Sequence, residues 1–353
     1  MDRNGQETHT VSRGQETVDG AGVGYKQAER LCDGTHEPTP TCVGFSEIDK
    51  YATSIYKHHY PEHKNYGDAT TIDAAELPDF NLLVGGFPCQ AFSIAGKRAG
   101  FSDTRGTLFF EVARILKAKK PRLFLLENVR GLLSHDKGRT FQTIIGVLSD
   151  IGYRDIQWQV LNSKDVGVPQ NRERVLITGH LGARGGYQVF PLREGNSGVD
   201  EGREQQRYRL VSNAIDSSYY KGADGKRQLI EIGNISDDQV DSRSSRVYDA
   251  DGIAVSLAST RGGLGAKTGL YEAEFTDLFS TQTLIRRLTP IECERLQGFP
   301  DNWTATGENG EAISDSQRYK CTGNAVTTNV IEAIMTAILR VLSLTGRDRR
   351  GKR

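Results

Sequence analysis

Between residues 42 and 180, short apolar runs alternate with longer segments whose apolar residues recur at helical spacing, and this alternation limits the fold more than any other feature. "TCVGFSEID" reads as a strand ending in acidic residues, "KYATSIYKHHY" as a helix and "NLLVGG" as a short buried strand. "TLFFEVARILKAKK" follows as an amphipathic helix, "RLFLLENV" as a strand, "TFQTIIGVLSDIG" as a helix and "RVLITGH" as a strand. Such alternation predicts an α/β architecture with a parallel, doubly wound, Rossmann-like sheet, whose functional residues gather at the carboxyl ends of its strands.

The flanking regions differ. Residues 1–41 are rich in Gly, Thr, Glu and Asp, show neither period, and are expected to be poorly ordered. Residues 185–285, rich in Gly, Ser, Asp and Arg, predict a smaller second domain of short strands and loops. Helical patterns return at "TPIECERLQGF" and "TTNVIEAIMTAILRVLSL". The chain is therefore expected to leave a first domain at residues 42–184 and rejoin it over 286–343, ahead of a basic tail at 344–353.

Composition excludes several classes. No apolar run approaches the roughly 20 residues needed to span a bilayer, and the polar N-terminus has no apolar signal segment, so the expected location is cytoplasmic, away from membranes. The formal net charge of +0 leaves any nucleic-acid binding to a local basic face. Cys32, Cys42, Cys89, Cys293 and Cys321 form an odd set with no CxxC pair, which argues against a disulfide framework and against a zinc site, and no metal is expected.

Cys89 stands apart from the burial usual for a lone cysteine. It follows Gly85, Gly86 and Pro88, where a parallel strand ends, and so falls at the functional edge of the sheet. The next strand ends in Glu127 and Asn128, so adjacent strand ends can bring Cys89 and Glu127 together. In "DVGVPQNRERVLITG", Arg172 and Arg174 fall two apart before another strand, on one face if extended, where they could hold a planar polar substrate.

"GGFPCQAFS", "ENV" at 127–129, "QNRER" at 170–174, "RRLTPIECERLQGFP" and "TGNAV" resemble, in order and spacing, the motifs of the DNA cytosine C5-methyltransferases. The resemblance covers roughly residues 42–180 and 286–335. It implies an S-adenosylmethionine-dependent methyltransferase fold in which Cys89 adds to C6 of a cytosine flipped out of duplex DNA. It also implies that Glu127 holds N3 and the exocyclic amine, and that Arg174, with Arg172 nearby, contacts the O2 side of the ring or the flanking phosphate. "AFSIAGKRAGFSDTRG" would then be a loop closing over DNA. For the cofactor, Glu47 would bind the ribose hydroxyls, Ile48 would pack on the adenine and Asp68 would take its amino group, while Pro88, Asn324 and Val326 complete the pocket.

On the same resemblance, residues 185–285 form the target-recognition domain, with Arg243, Arg246 and Arg261 as candidates for guanine or phosphate contacts. A monomer in a restriction-modification or phage setting is implied, with a cognate restriction endonuclease as a genetic rather than a physical partner. One element departs from the pattern. Family members open with a strand running into a Phe-x-Gly-x-Gly-Gly loop, whereas "VDGAGVGYKQAERL" offers Gly20, Gly22 and Gly24 without a strand before them. Two other readings therefore stay open: a homologue that binds DNA but holds the methyl donor poorly, and a tRNA cytosine methyltransferase.

Overall fold

The computed structural model describes residues 25–27, 40–88, 108–182, 188–192, 231–234, 246–249, 254–257, 268–276 and 281–347. Gly20, Gly22, Gly24, Cys89, Arg243 and Arg261 lie outside the described residues, and only the backbone of Arg246 falls within them.

The first domain is built on β1 (Tyr25–Gln27), β2 (Pro40–Cys42), β3 (Leu82–Gly86), β4 (Leu123–Val129), β5 (Gln157–Asn162), the short β6 (Gln170–Asn171) and β7 (Glu173–His180). All but β6 share one sheet, in the order β2-β1-β3-β4-β7-β5. Alternate side chains bury opposite faces of this sheet. Leu83, Phe124, Leu126, Val175 and Ile177 pack with Phe109, Val112, Ile115 and Leu116 of α2 (Leu108–Lys119) and with Ile144 and Leu148 of α3 (Arg139–Ile151). Leu82, Val84, Leu123, Leu125 and Leu176 face the other way, onto Val330, Ile334 and Ile338, one residue per turn of a long C-terminal helix, Thr328–Arg347. Helices on both faces make this a doubly wound α/β domain.

The sheet is mixed rather than parallel. β3 and β4 are parallel, but β7 runs antiparallel to both β4 and β5. β5, which has no clear strand pattern in the sequence, continues the parallel run after the α3 crossover, and β7 then returns into the slot between β4 and β5. "TCVGFSEID" is also not a continuous strand: it leaves β2 at Cys42, and its one further ladder contact among the described residues is an isolated bridge, Phe45 to Asn65. Gly44 explains the break, because its φ of +147° suits glycine, and a Cβ there would lie 2.4 Å from the Tyr66 ring and 2.8 Å from the Lys64 carbonyl. Part of the N-terminal stretch expected to lack order supplies β1 and β2, antiparallel to each other, with β1 meeting β3 at Tyr25 and Leu82.

A smaller sheet is formed by β8 (Glu231–Asn234), β9 (Arg246–Asp249), β11 (Leu270–Thr276) and β12 (Thr281–Arg286) in the order β12-β11-β9-β8, and β10 (Ala254–Val255) pairs in parallel with β6. Its core is shared with the returning part of the chain. Tyr248, Ala254, Val255, Leu257 and Tyr271 pack against Leu288 and against Cys293 and Leu296 of α4 (Pro290–Leu296). α4 is started by a capping box, Thr289 and Glu292 satisfying each other's backbone N–H groups, with Pro290 in the first turn. It leads to α5 (Asp315–Asn324) and then to the C-terminal helix, α6. Among the described residues no helix is long and apolar enough to cross a membrane.

Candidate active site

The antiparallel entry of β7 builds the site. Glu127, two residues before the end of β4, lies opposite Leu176, and Val129 lies opposite Arg174, so the side chains of Glu127 and Arg174 are diagonal neighbours on one face. They form an ion pair, Arg174 Nε donating to Glu127 Oε1 over 2.7 Å, with each side chain 16% exposed. A parallel strand here would have brought the His180 end to this corner instead. Burial holds the Glu127 carboxyl above the ordinary carboxylate range, against the opposing charges of Arg174 and Arg172. Such a carboxyl can present a proton to a ring nitrogen while its other oxygen accepts from an amine.

The neighbouring strand ends in register, Gly86 beside Glu127, and continues through buried Phe87 to exposed Pro88, the last described residue before Cys89. Asn128 fixes this exit. Its side chain is 2% exposed, donating from Nδ2 to the Phe87 carbonyl at 2.6 Å and accepting from Val129 N–H at 2.9 Å. In the sequence Asn128 stands out only as a strand-end residue. The signal for its role was an amide side chain at a buried strand terminus, where a polar group must find partners.

The two arginines diverge. Arg174 faces Glu127, whereas Arg172 is 2% exposed and directs Nη1 at the Leu257 carbonyl and the Ser256 hydroxyl, and Nη2 at the carbonyls of Gly323 and Ala325. Arg130, exposed beyond the end of β4, makes a two-pronged pair with Glu173.

A second group of candidates surrounds the segment after Gly44. Asn65 stitches two stretches together: its Oδ1 accepts from the Glu47 and Gly67 N–H groups, and its Nδ2 donates to the Glu47 carbonyl. Asp68 therefore adjoins Glu47, although no sequence motif pointed to Asn65 as the joint. Burial raises the Glu47 carboxyl above its ordinary value, partly offset by the Asp49 N–H that it accepts. Asp68 is held lower than usual by the N–H and hydroxyl of Thr70. Ile48 is an apolar side chain left 74% exposed.

Asp49 caps α1 (Lys50–His59), accepting from the N–H groups of Tyr51 and Ala52, and pairs with Lys320 of α5. That pair ties α5 to the Glu47 segment. Between them lies a concavity lined by Phe45, Glu47, Phe299, Trp303 and Cys321. At the end of α5 Asn324 is exposed, while Val326 is 2% exposed and faces the interior.

The family model for C-5 cytosine-specific DNA methylase matches residues 18–340, a span that begins ahead of Gly20, Gly22 and Gly24. The chain is 36% identical to the Type II methyltransferase M1.ScrFI of Lactococcus lactis subsp. cremoris, over 92% of this chain and 76% of that protein. It is 37% identical to the Type II methyltransferase M.NlaX of Neisseria lactamica, over 86% of this chain and 90% of the relative. Among solved structures, the Dnmt2 methyltransferase of S. pombe superposes with a TM-score of 0.58 at 19% identity, covering 85% of this chain and 90% of that one, a likeness of fold.

Proposed function

The chain belongs to the C-5 cytosine-specific DNA methylases, and from that premise we propose that it methylates C5 of a cytosine turned out of duplex DNA through a covalent adduct on Cys89. The observation that carries the assignment is the Glu127–Arg174 pair at the end of β4, in register with the strand that leads to Cys89. S-adenosylmethionine supplies the electrophilic methyl group when bound.

The residues fit that cofactor. Glu47 and Asp68 offer two carboxylates on adjoining segments for hydroxyl and amine donors, exposed Ile48 offers an apolar face for a planar ring, and Asn324 offers an exposed amide. Pro88 and Val326 would complete the walls.

Cytosine C5 is a poor nucleophile until C6 is saturated. The Cys89 thiolate bonds to C6, the ring π electrons move toward C5 and N3, and Glu127 gives its proton to N3 while accepting from the exocyclic amine. Arg174 holds Glu127 in place and balances its charge when that proton leaves. C5 then takes the methyl group; loss of the C5 proton to water, expulsion of the Cys89 thiolate and return of the N3 proton to Glu127 restore the aromatic ring and the starting site. Extruding the base costs a few kcal/mol, by the general cost of unstacking and unpairing, and the site's contacts must repay it.

A DNA-binding homologue without cofactor is not favoured, since the family match runs through the N-terminal glycines. Duplex DNA is preferred over tRNA because the matching family model is one of DNA methylases and because a second sheet offers a further reading surface. The test is transfer of labelled methyl groups from S-adenosylmethionine to duplex DNA, run beside Cys89→Ser. Label that disappears in the variant is expected; label that persists would remove Cys89 from the mechanism, and no label from the folded parent protein would overturn the assignment.

A further inference from the structure

Arg172 sits at the meeting point of three parts of the chain. On one side is the second domain: β10 runs parallel to β6, Ala254 N–H donates to the Pro169 carbonyl at 2.9 Å, and Leu257 N–H donates to Gln170 Oε1 at 3.2 Å. On another side is α4, whose Leu296 carbonyl accepts from Gln170 Nε2 at 2.7 Å. On the third is the Gly323–Ala325 turn, whose carbonyls accept from Arg172 Nη2 at 3.1 and 2.8 Å. Arg172 Nη1 reaches the Leu257 carbonyl at 3.2 Å, so one guanidinium spans the second domain and the turn that carries Asn324.

The surroundings keep this joint rigid. Gln297, fully buried, donates to the Thr322 carbonyl at 2.7 Å and accepts from the Thr327 hydroxyl at 2.9 Å, and Thr327 also contacts Ser163 Oγ at 2.7 Å. A cation buried among carbonyl oxygens is tolerated only while its fork of donors is matched, because hydrogen bonds must replace the lost water. A shift of residues 254–257 therefore cannot leave the Gly323–Ala325 turn unaffected.

We propose that Arg172 is a positioning residue that couples occupancy of the second domain by DNA to the cofactor wall at Asn324, so that each ligand tightens the other. The coupling rests on the methyltransferase reading above. Because binding linkage is reciprocal, it is readable from either ligand.

The experiment measures the affinity of S-adenosylhomocysteine, as a non-reacting probe, with and without a plasmid duplex that the unmodified protein methylates. In the unmodified protein the duplex is expected to tighten the probe by a factor of about 5–150, the usual span of such couplings. In Arg172→Lys, which keeps the charge and loses the fork, that factor is expected to fall to near one. A purely structural role would weaken both affinities and leave their ratio unchanged. An unchanged ratio in folded Arg172→Lys, or no coupling in the unmodified protein, overturns the proposal. If Arg172→Lys does not fold, Arg172→Gln, which removes the fork without leaving a buried charge, takes its place, and an unchanged ratio there overturns the proposal equally. Absence of methyl transfer from the unmodified protein to any duplex would instead overturn the underlying reading, and the coupling with it.

Discussion

At Glu127 two demands oppose each other: the pairing with Arg174 favours the carboxylate, and burial favours the acid, with burial the stronger. Glu127→Gln keeps the shape and an acceptor for the amine but has no proton to give. Single-turnover methyl transfer is expected to slow by about 10²–10⁴, the range for a positioned proton donor, with the protein still folded. Glu47 makes a different prediction. Its carboxylate form is the acceptor for hydroxyl groups, and burial lifts its pKa above the ordinary 4.5, so protonation begins earlier as pH falls. Cofactor affinity, followed by calorimetry across a pH series, is expected to be full above that raised value and to decline as pH drops through it. In Glu47→Gln the affinity is expected to be lower and this pH dependence lost.

Among the elements, α4 and α5 are joined by a fully buried carboxylate. Glu294 accepts from the N–H groups of Asn302 and Thr304 and from the Thr304 hydroxyl, and Arg318 Nη2 donates to it at 3.0 Å. Arg318→Ala strands that charge and is expected to cost about 3–5 kcal/mol, read as a lowered urea midpoint. Thr289→Ala, which removes only the α4 capping box, is expected to cost about 1 kcal/mol. The helices were legible in the sequence because apolar residues such as Phe109, Val112 and Leu116 recur at helical spacing and do face the core. β5 was not legible: in "QWQVLN" the alternate polar residues Gln157 and Gln159 are half-buried and bind the backbone at Val189, Phe190 and Leu192. The direction of β7 was equally hidden, since its apolar residues read the same either way and only the β5 return fixes the pairing. The family resemblance sets Glu127 and Arg174 around one cytosine, but their ion pair, Asn65, Asn128 and the carbonyl partners of Arg172 were not legible, because amides and guanidinium groups bound to backbone leave no periodic trace.

On the scale of the whole molecule, the smaller sheet packs its core on Leu288, Cys293 and Leu296, and β10 joins it to the rest through β6. A ligand that binds only the folded state stabilises the entire chain. S-adenosylhomocysteine at a hundredfold excess over its Kd is expected to add about 2.7 kcal/mol, raising Tm by a few degrees in a thermal melt. The parallel contact between β10 and β6 carries a further consequence, for exchange of parts. A foreign reading module grafted between β7 and α4 has freedom in its loops and outer strands, but it must bring back two residues that lie along Gln170–Asn171 and a carbonyl at the place of Leu257. Grafts chosen for their surface alone would leave a guanidinium without its oxygens in the middle of the protein.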